Sequence, residues 1–193
     1  MKKILISAAL ALGAHLSAHA ADDAAPVKFL LGGGLTFGGD KLATVGFSDG
    51  STDNIRAGAL LMLYGGAEVR LGDLVSFQAT LGYHVDDTSP ASNGKLRFSR
   101  MPVDLLLHFR LNEQLRLGAG MQLVHKPELK GSGDVSYINA KFDNATGAVL
   151  EGEYLFSPHV GLKLRYVSEE FELKGSNVTV DGSHVGLLLN YYF

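Results

Sequence analysis

Two carboxylates stand two residues apart at Glu151 and Glu153, and two cations at the same spacing, Lys163 and Arg165, follow them. Asp104, Arg110 and Arg116 add three more charges in the preceding sequence. In an extended chain a spacing of two places both side chains on one face. The chemistry that suits this set is ion pairing, with carboxylates accepting from guanidinium and ammonium groups in a poorly solvated space. A second set has the residue types of hydrolytic catalysis: His84 with Asp86 and Asp87, His125, Ser168 with Glu169 and Glu170, and Ser183 with His184. That chemistry needs a base within hydrogen-bond reach of the nucleophile. The local alternation turns Ser168 and Ser183 one way and His84 and His184 the other, and no G-x-S-x-G motif supports them. These residues read as a polar rim, and no catalytic residue is assigned.

The remaining motifs are negative. There is no Cys, hence no thiolate metal site or disulfide framework. The stretch "DGSTDN" at 49–54 departs from calcium-loop spacing, and "GGG" at 32–34 lies inside a strand rather than between a strand and a helix. No metal and no cofactor is expected.

The elements that must position the charges follow from apolar residues recurring every second position after Pro26. In "MPVDLLLHFRL", Met101, Val103, Leu105, Leu107, Phe109 and Leu111 share one face, and Pro102, Asp104, Leu106, His108 and Arg110 the other. Eight such segments are read, over 27–38, 55–71, 75–86, 96–111, 115–126, 144–156, 160–171 and 183–193. Tight connectors at 72–74, 112–114 and 157–159 alternate with long polar ones at 39–54, 87–95, 127–143 and 172–182. Short and long connectors in alternation predict an up-and-down antiparallel meander with all long loops at one end. The tight turns fix register. They set Leu71 opposite Val75, Leu111 opposite Leu115, and Phe156 opposite Val160. They also set Glu153 opposite Lys163, Glu151 opposite Arg165, and Arg110 opposite Arg116, near which Glu151 or Glu153 supplies the balancing charge.

The first twenty residues are a targeting segment: "MKK", an Ala-rich apolar run, and "AHA" at 18–20, with cleavage expected after Ala20 and a single domain over 21–193. Loss of Lys2 and Lys3 with the leader moves the formal charge from −3 to −5. An acidic chain argues against a nucleic-acid partner. No later stretch reaches the roughly 18–20 apolar residues of a membrane helix.

A meander of eight strands closes to remove its edges, with its apolar face either inside around a ligand or outside toward lipid. The polar face decides between them. It carries the long charged side chains interspersed with glycines at 32, 34, 58, 66, 82, 118, 120, 147, 161 and 186. Eight strands leave a lumen only wide enough for side chains, so bulky charges need tiny neighbours there. The other face is bulky, with aromatics near both strand ends: Phe29, Phe109, Tyr154, Phe156, Tyr191 and Phe193 at one, Phe37, Tyr83 and Tyr166 at the other. Two aromatic girdles fit a membrane barrel.

These features, with the terminal "YYF", resemble the small eight-stranded outer-membrane β-barrels of Gram-negative bacteria, the group of the OmpA transmembrane domain and OmpX. The resemblance is architectural and covers 21–193. It implies periplasmic turns, surface-facing loops, outer-membrane lipid as solvent, and insertion by the barrel-assembly machinery, which reads a last strand carrying Tyr191 and Phe193. It also implies that the periplasmic peptidoglycan-binding domain of OmpA is missing after Phe193. The expected fold is an all-β, eight-stranded antiparallel up-and-down transmembrane barrel. The expected role is structural or surface-interacting, through a loop-binding partner, with Asp104, Arg110, Arg116, Glu151, Glu153, Lys163 and Arg165 plugging the lumen. A lipid A-modifying enzyme is the first alternative, and a soluble periplasmic barrel binding an apolar ligand the second.

Overall fold

The computed structural model describes residues 26–46, 52–88 and 94–193. The leader read over 1–20 lies outside the described residues, as do the first three residues of "DGSTDN" and the loop tip at 89–93. Among the described residues the strands are β1 (Val27–Gly38), β2 (Lys41–Gly46), β3 (Thr52–Arg56), β4 (Leu60–Arg70), β5 (Val75–Thr88), β6 (Lys95–Arg110), β7 (Leu115–Ser132), β8 (Asn139–Lys141), β9 (Ala145–Ser157), β10 (Val160–Ser168), β11 (Glu170–Glu172), β12 (Thr179–Asp181) and β13 (His184–Tyr192). Eight of them, β1, β4, β5, β6, β7, β9, β10 and β13, form one antiparallel sheet, and β13 pairs back onto β1 to close it. Leu30 faces Tyr192 and Gly38 faces His184 across this seam. The Phe193 amide donates to the Phe29 carbonyl at 2.9 Å.

The period-two pattern has one physical meaning here: odd and even residues face different solvents. Leu31, Leu35, Leu63, Leu81, Leu107, Leu117, Leu164 and Leu187 are exposed around the outside. Asp104, Arg116, Glu151, Glu153, Lys163, Arg165 and Asn190 are buried in the lumen. This inverts the soluble arrangement and suits a sheet wrapped in lipid.

The tight turns keep the expected register at two of three places. The Leu71 amide donates to Val75 and that of Leu111 to Leu115, both at 2.9 Å. At the third, Val160 faces Ser157 and Gly161 faces Leu155, so Phe156 falls in a bulge and does not oppose Val160. The register recovers at once, and Glu153–Lys163 and Glu151–Arg165 are opposed as expected.

The loop side is more structured than its turn-rich sequence suggests. The segment read over 55–71 starts as a barrel strand only at Leu60, whose φ of +111° marks the break; Ile55 and Arg56 belong to β3, which pairs with β2. The segment read over 160–171 divides at Glu169, beyond which β11 pairs with β12. β7 continues into the region read as loop. Lys126 adopts φ +50°, and His125 and Lys126 are both exposed, so the inward face switches from even to odd residues and Leu129 points inside. Ile55, Leu96, Phe98, Val124, Leu129, Phe142 and Phe171 then meet in an apolar cluster over the loop-side end of the lumen. Phe98, Phe142 and Phe171 pack edge to face with centroids 5.8–6.3 Å apart.

At the seam, a Cβ on Gly34 would run into the Leu187 carbonyl and the Leu188 Cα. These are backbone atoms and cannot move aside, so Gly34→Val blocks pairing of the first and last strands. The heat-modifiable fraction on cold gels is expected to fall severalfold, whereas Gly46→Ala, at the end of β2 where a Cβ meets open space, leaves it near wild type.

Candidate functional site

The lumen charges form one connected network. Strand β10 presents Lys163 and Arg165 inward, and its neighbour β9 presents Glu151 and Glu153. Arg165 donates from Nε to Glu151 Oε2 at 2.9 Å and from Nη1 to Asp104 Oδ2 at 2.8 Å. Asp104 also accepts from Gln122 at 2.7 Å and Thr80 at 3.2 Å. Lys163 Nζ lies 2.6 Å from Glu151 Oε1, which also accepts from His108 Nε2 at 2.7 Å. Glu153 belongs to the other half of the network. Arg116 donates to it at 2.8 Å, reaches Glu68 at 2.6 Å and meets the Tyr192 hydroxyl, which donates to Glu153 at 2.7 Å. The Tyr64 hydroxyl donates to Asn190, which donates to Glu153 at 2.9 Å. Each buried charge therefore has a charged partner and further hydrogen bonds, the condition under which burial in low dielectric is tolerated.

The structure brings together Asp104, Arg116, Glu151, Glu153, Lys163 and Arg165, with two corrections to the expected pairing. Glu153 and Lys163 are opposite in register and still form a long ion pair of 4.0 Å, but Lys163 turns closer to Glu151, at 2.6 Å, while Arg116 occupies Glu153 from the other side. Arg110 does not join. It is exposed and lines a shallow cleft at the turn end with Lys28, Glu68, Arg70 and Arg116. Arg116, directly opposite it in register, takes the inner position and both nearby carboxylates. Tyr191 and Phe193 lie at the turn end, rings 5.0 Å apart, with His159 stacked on Tyr191.

The glycines expected to make room do so at the charges themselves. A Cβ on Gly118 would lie 2.6 Å from the His108 ring and 2.9 Å from Glu151 Cγ, and one on Gly161 would strike the Glu153 carboxylate. A small residue is required because the paired charges already fill the lumen.

A second cluster, absent from the expected network, sits between these charges and the apolar cap. Arg100 is fully buried, stacks against Phe98 and Phe171 at 5.5 and 5.4 Å, and donates to the Ala57 carbonyl. Its Nη2 lies 3.3 Å from Glu169. His184 Nδ1 donates to the Gly182 carbonyl at 2.9 Å and lies 3.5 Å from Glu169. His84 accepts or donates at Thr36 Oγ1, 2.7 Å away, and packs edge-on to His184. Arg100 thus ties the segment before β4 to the one that follows β10. The alternation already pointed to it, since Arg100 lies two positions before Pro102 on the inward face. Of the hydrolytic set, His84, Glu169 and His184 come together, but neither of its serines joins them. Ser168 is exposed, and the Ser183 hydroxyl accepts from the Glu169 amide at 3.3 Å. Among the described residues no cluster of His, Asp and Glu is arranged to hold a metal.

A closed sheet with a lipid-facing apolar exterior and a charged interior defines an integral outer-membrane β-barrel. The chain belongs to the outer membrane protein beta-barrel domain family, whose model matches residues 7–193, and it resides in the bacterial outer membrane. Similar solved structures include Ail, the attachment invasion locus protein of Yersinia pestis, in complex with the heparin analogue sucrose octasulfate. It has 13% identity and a TM-score of 0.56, with 86% of this chain and 97% of that chain covered. Neisserial surface protein A is also similar, with 11% identity, a TM-score of 0.52, and 88% and 98% covered. At these identities the likeness is one of fold. No curated protein matches the sequence.

Removing one partner of the network leaves a buried charge uncompensated, so Arg165→Ala or Glu151→Ala is expected to cost about 3–5 kcal/mol in unfolding from detergent. The double substitution costs less than the sum of the two, and Arg110→Ala stays within about 0.5 kcal/mol.

Glu169 lies above the last apolar outward residue of β10, and burial pushes its carboxyl up to about 7 from an ordinary 4.5. The folded state therefore holds this proton more tightly than the unfolded chain. Stability relative to Glu169→Gln is highest below about pH 4.5, falls as pH rises to about 7, and is level above. Melting midpoints of both proteins at several pH values between 4 and 8 check this.

Proposed function

We propose that this protein is a plugged, non-catalytic outer-membrane barrel that serves the envelope structurally and presents its loops as a surface for a binding partner. The observation that carries the reading is the filled interior. Arg116, Lys163, Arg165, Asp104, Glu151 and Glu153 are all at most 5% exposed, and each is engaged by an opposite charge. Above them Arg100 and the phenylalanine cluster close the loop side. A barrel filled at both levels supports a plug rather than an open water path, which eight strands are too few to enclose.

The described parts of the long loops support an interaction role because they carry strands of their own. Strand pairs β2–β3 and β11–β12 stand on a packed apolar base, and Tyr137, in the connection between β7 and β8, is 80% exposed beside them. Outer-membrane lipid surrounds the barrel. The barrel-assembly machinery would insert it through the last strand, with Tyr191 and Phe193 as the aromatic signal. Nucleic acid is not a partner. Against lipid modification stands the separation of Ser168 and Ser183 from an inward-facing His184.

In planar bilayers the purified barrel is expected to show no steady conductance, and deleting 135–138 or 172–180 should abolish partner adhesion while leaving the barrel folded. A stable open channel, or a changed lipid A mass profile in a deletion strain, would overturn the reading.

A further inference from the structure

The turn-side mouth of the barrel holds a cleft with about 40 Å³ of free volume, lined by Lys28 of β1, Glu68 and Arg70 of β4, Arg110 of β6, Arg116 of β7 and Tyr192 of β13. A single water takes about 10–15 Å³ by that measure, so the cleft has room for a group of a few heavy atoms. All six are even-numbered residues of strands whose odd-numbered residues, such as Phe29, Leu63, Phe109, Leu117 and Leu189, are exposed on the outer face. The cleft therefore opens along the barrel axis to the water on the turn side, and not sideways to lipid.

Four cations and one carboxylate line this cleft, and the carboxylate is already committed. Glu68 Oε1 lies 2.6 Å from Arg116 Nη1, and its Oε2 accepts from Gln78 Nε2 at 3.1 Å. Glu153 holds Arg116 from the lumen side at 2.7 Å. Arg110 stands directly opposite Arg116 across the β6–β7 pair, and its guanidinium forms no ion pair among the described residues. Like charges opposed in this way disfavour one another. Lys28 and Arg70 have contacts of their own, so Arg110 supplies the charge that a ligand meets first, with Arg116 as the fixed wall beside it. The turn carboxylates Asp73 and Glu113 are exposed and do not line the cleft. Water satisfies the hydrogen bonds of Arg110, but it does not offset a positive potential built by cations from four strands.

We propose that this turn-side mouth, with Arg110 and Arg116 side by side, binds a multiply charged oxyanion of the phosphate class. A guanidinium presents its N–H donors in a planar fork that matches the oxygens of such an anion, and a dianion suits a mouth in which cations outnumber carboxylates. The free volume fits one tetrahedral group, and the open side leaves an ester substituent free to extend into the water. Glu68 and the Tyr192 hydroxyl are both held by Arg116, so that wall is in place before a ligand arrives. Free phosphate and a phospholipid headgroup share this chemistry, and the axial opening favours the soluble source. The site lies outside the ion-paired lumen and goes beyond the reading of a plugged barrel, since it needs no path through the interior.

The test uses the full barrel, isotope-labelled and folded in zwitterionic detergent, titrated at constant ionic strength with inorganic phosphate, with chloride and with a short-chain phosphatidic acid. The variants are R110Q, the distant control K130Q, and D22N/D23N, which neutralises the two acids that precede Pro26 in the sequence. Each is confirmed folded by heat-modifiable migration. In the wild type and K130Q, phosphate is expected to shift the backbone amide resonances of Arg110, Arg116 and their strand neighbours, and chloride is expected not to. Affinity for phosphate is expected to be about fivefold lower in R110Q. Equal binding by R110Q overturns the proposal, as do equal shifts with chloride or shifts centred away from the turn end. Tighter binding of phosphatidic acid than of phosphate overturns the soluble source. Binding of phosphate by D22N/D23N but not by the wild type overturns the site as a ligand site, since the cleft then belongs to the acids of the chain itself.

Discussion

Lipid offers no hydrogen bonds, and the rest of this structure follows from that. Every backbone amide and carbonyl in the spanning band must find its partner within the sheet, so the sheet has no free edge there. The seam between β1 and β13 meets this requirement, running from Leu30–Tyr192 to Gly38–His184. Closure with eight strands sets the diameter, and the diameter sets what fits inside. The interior is then too narrow for bulk water and too wide to be left empty. It is filled by side chains whose charges are paired because nothing else is available to solvate them.

The network shows how such a filling is partitioned. Glu151 gathers Lys163, Arg165 and His108, while Glu153 gathers Arg116, Tyr192 and Asn190. Both carboxylates come from β9, so this one strand anchors the strands on either side of it and reaches across the lumen to Asp104 and Glu68 through the shared arginines. The glycines at 118 and 161 leave the space these side chains occupy. Filling and pairing are one solution to one volume.

The two ends of the barrel are closed by different physics. At the turn end the connections are two to four residues long, and Arg110 stands in solvent where no pairing is required. At the loop end the strands continue past the lipid band, and their inward residues become apolar: Leu96, Phe98, Leu129 and Phe171. Arg100 marks the change of regime, stacked on phenylalanines above and paired with Glu169 beside it. Outside, the same strands change from Met101 to Arg97 over two steps, as the surrounding solvent changes from hydrocarbon to headgroups.

Most of the barrel was legible in the sequence. A period of two and short turns determine which residues share a face and which oppose across a turn, and both are local properties of an extended chain. Hence the strand set, the closure of the last strand on the first, the inward charges and the Glu151–Arg165 pair could be read directly, and the alternation extended to Arg100 though the expected network stopped short of it. Tertiary structure alone decided how the charges are shared. Lys163 leans from its register partner toward Glu151 because Arg116, far away in sequence, holds Glu153 more closely. Arg110 is left outside because Arg116 has the inner place. The loop-side cap was equally beyond reach, since "HKPELKGSGD" looks like turn sequence until the kink at Lys126 exchanges its faces and aims Leu129 at phenylalanines from two other strands. Alternation specifies direction. Competition for partners inside a closed volume is settled only when every strand is in place.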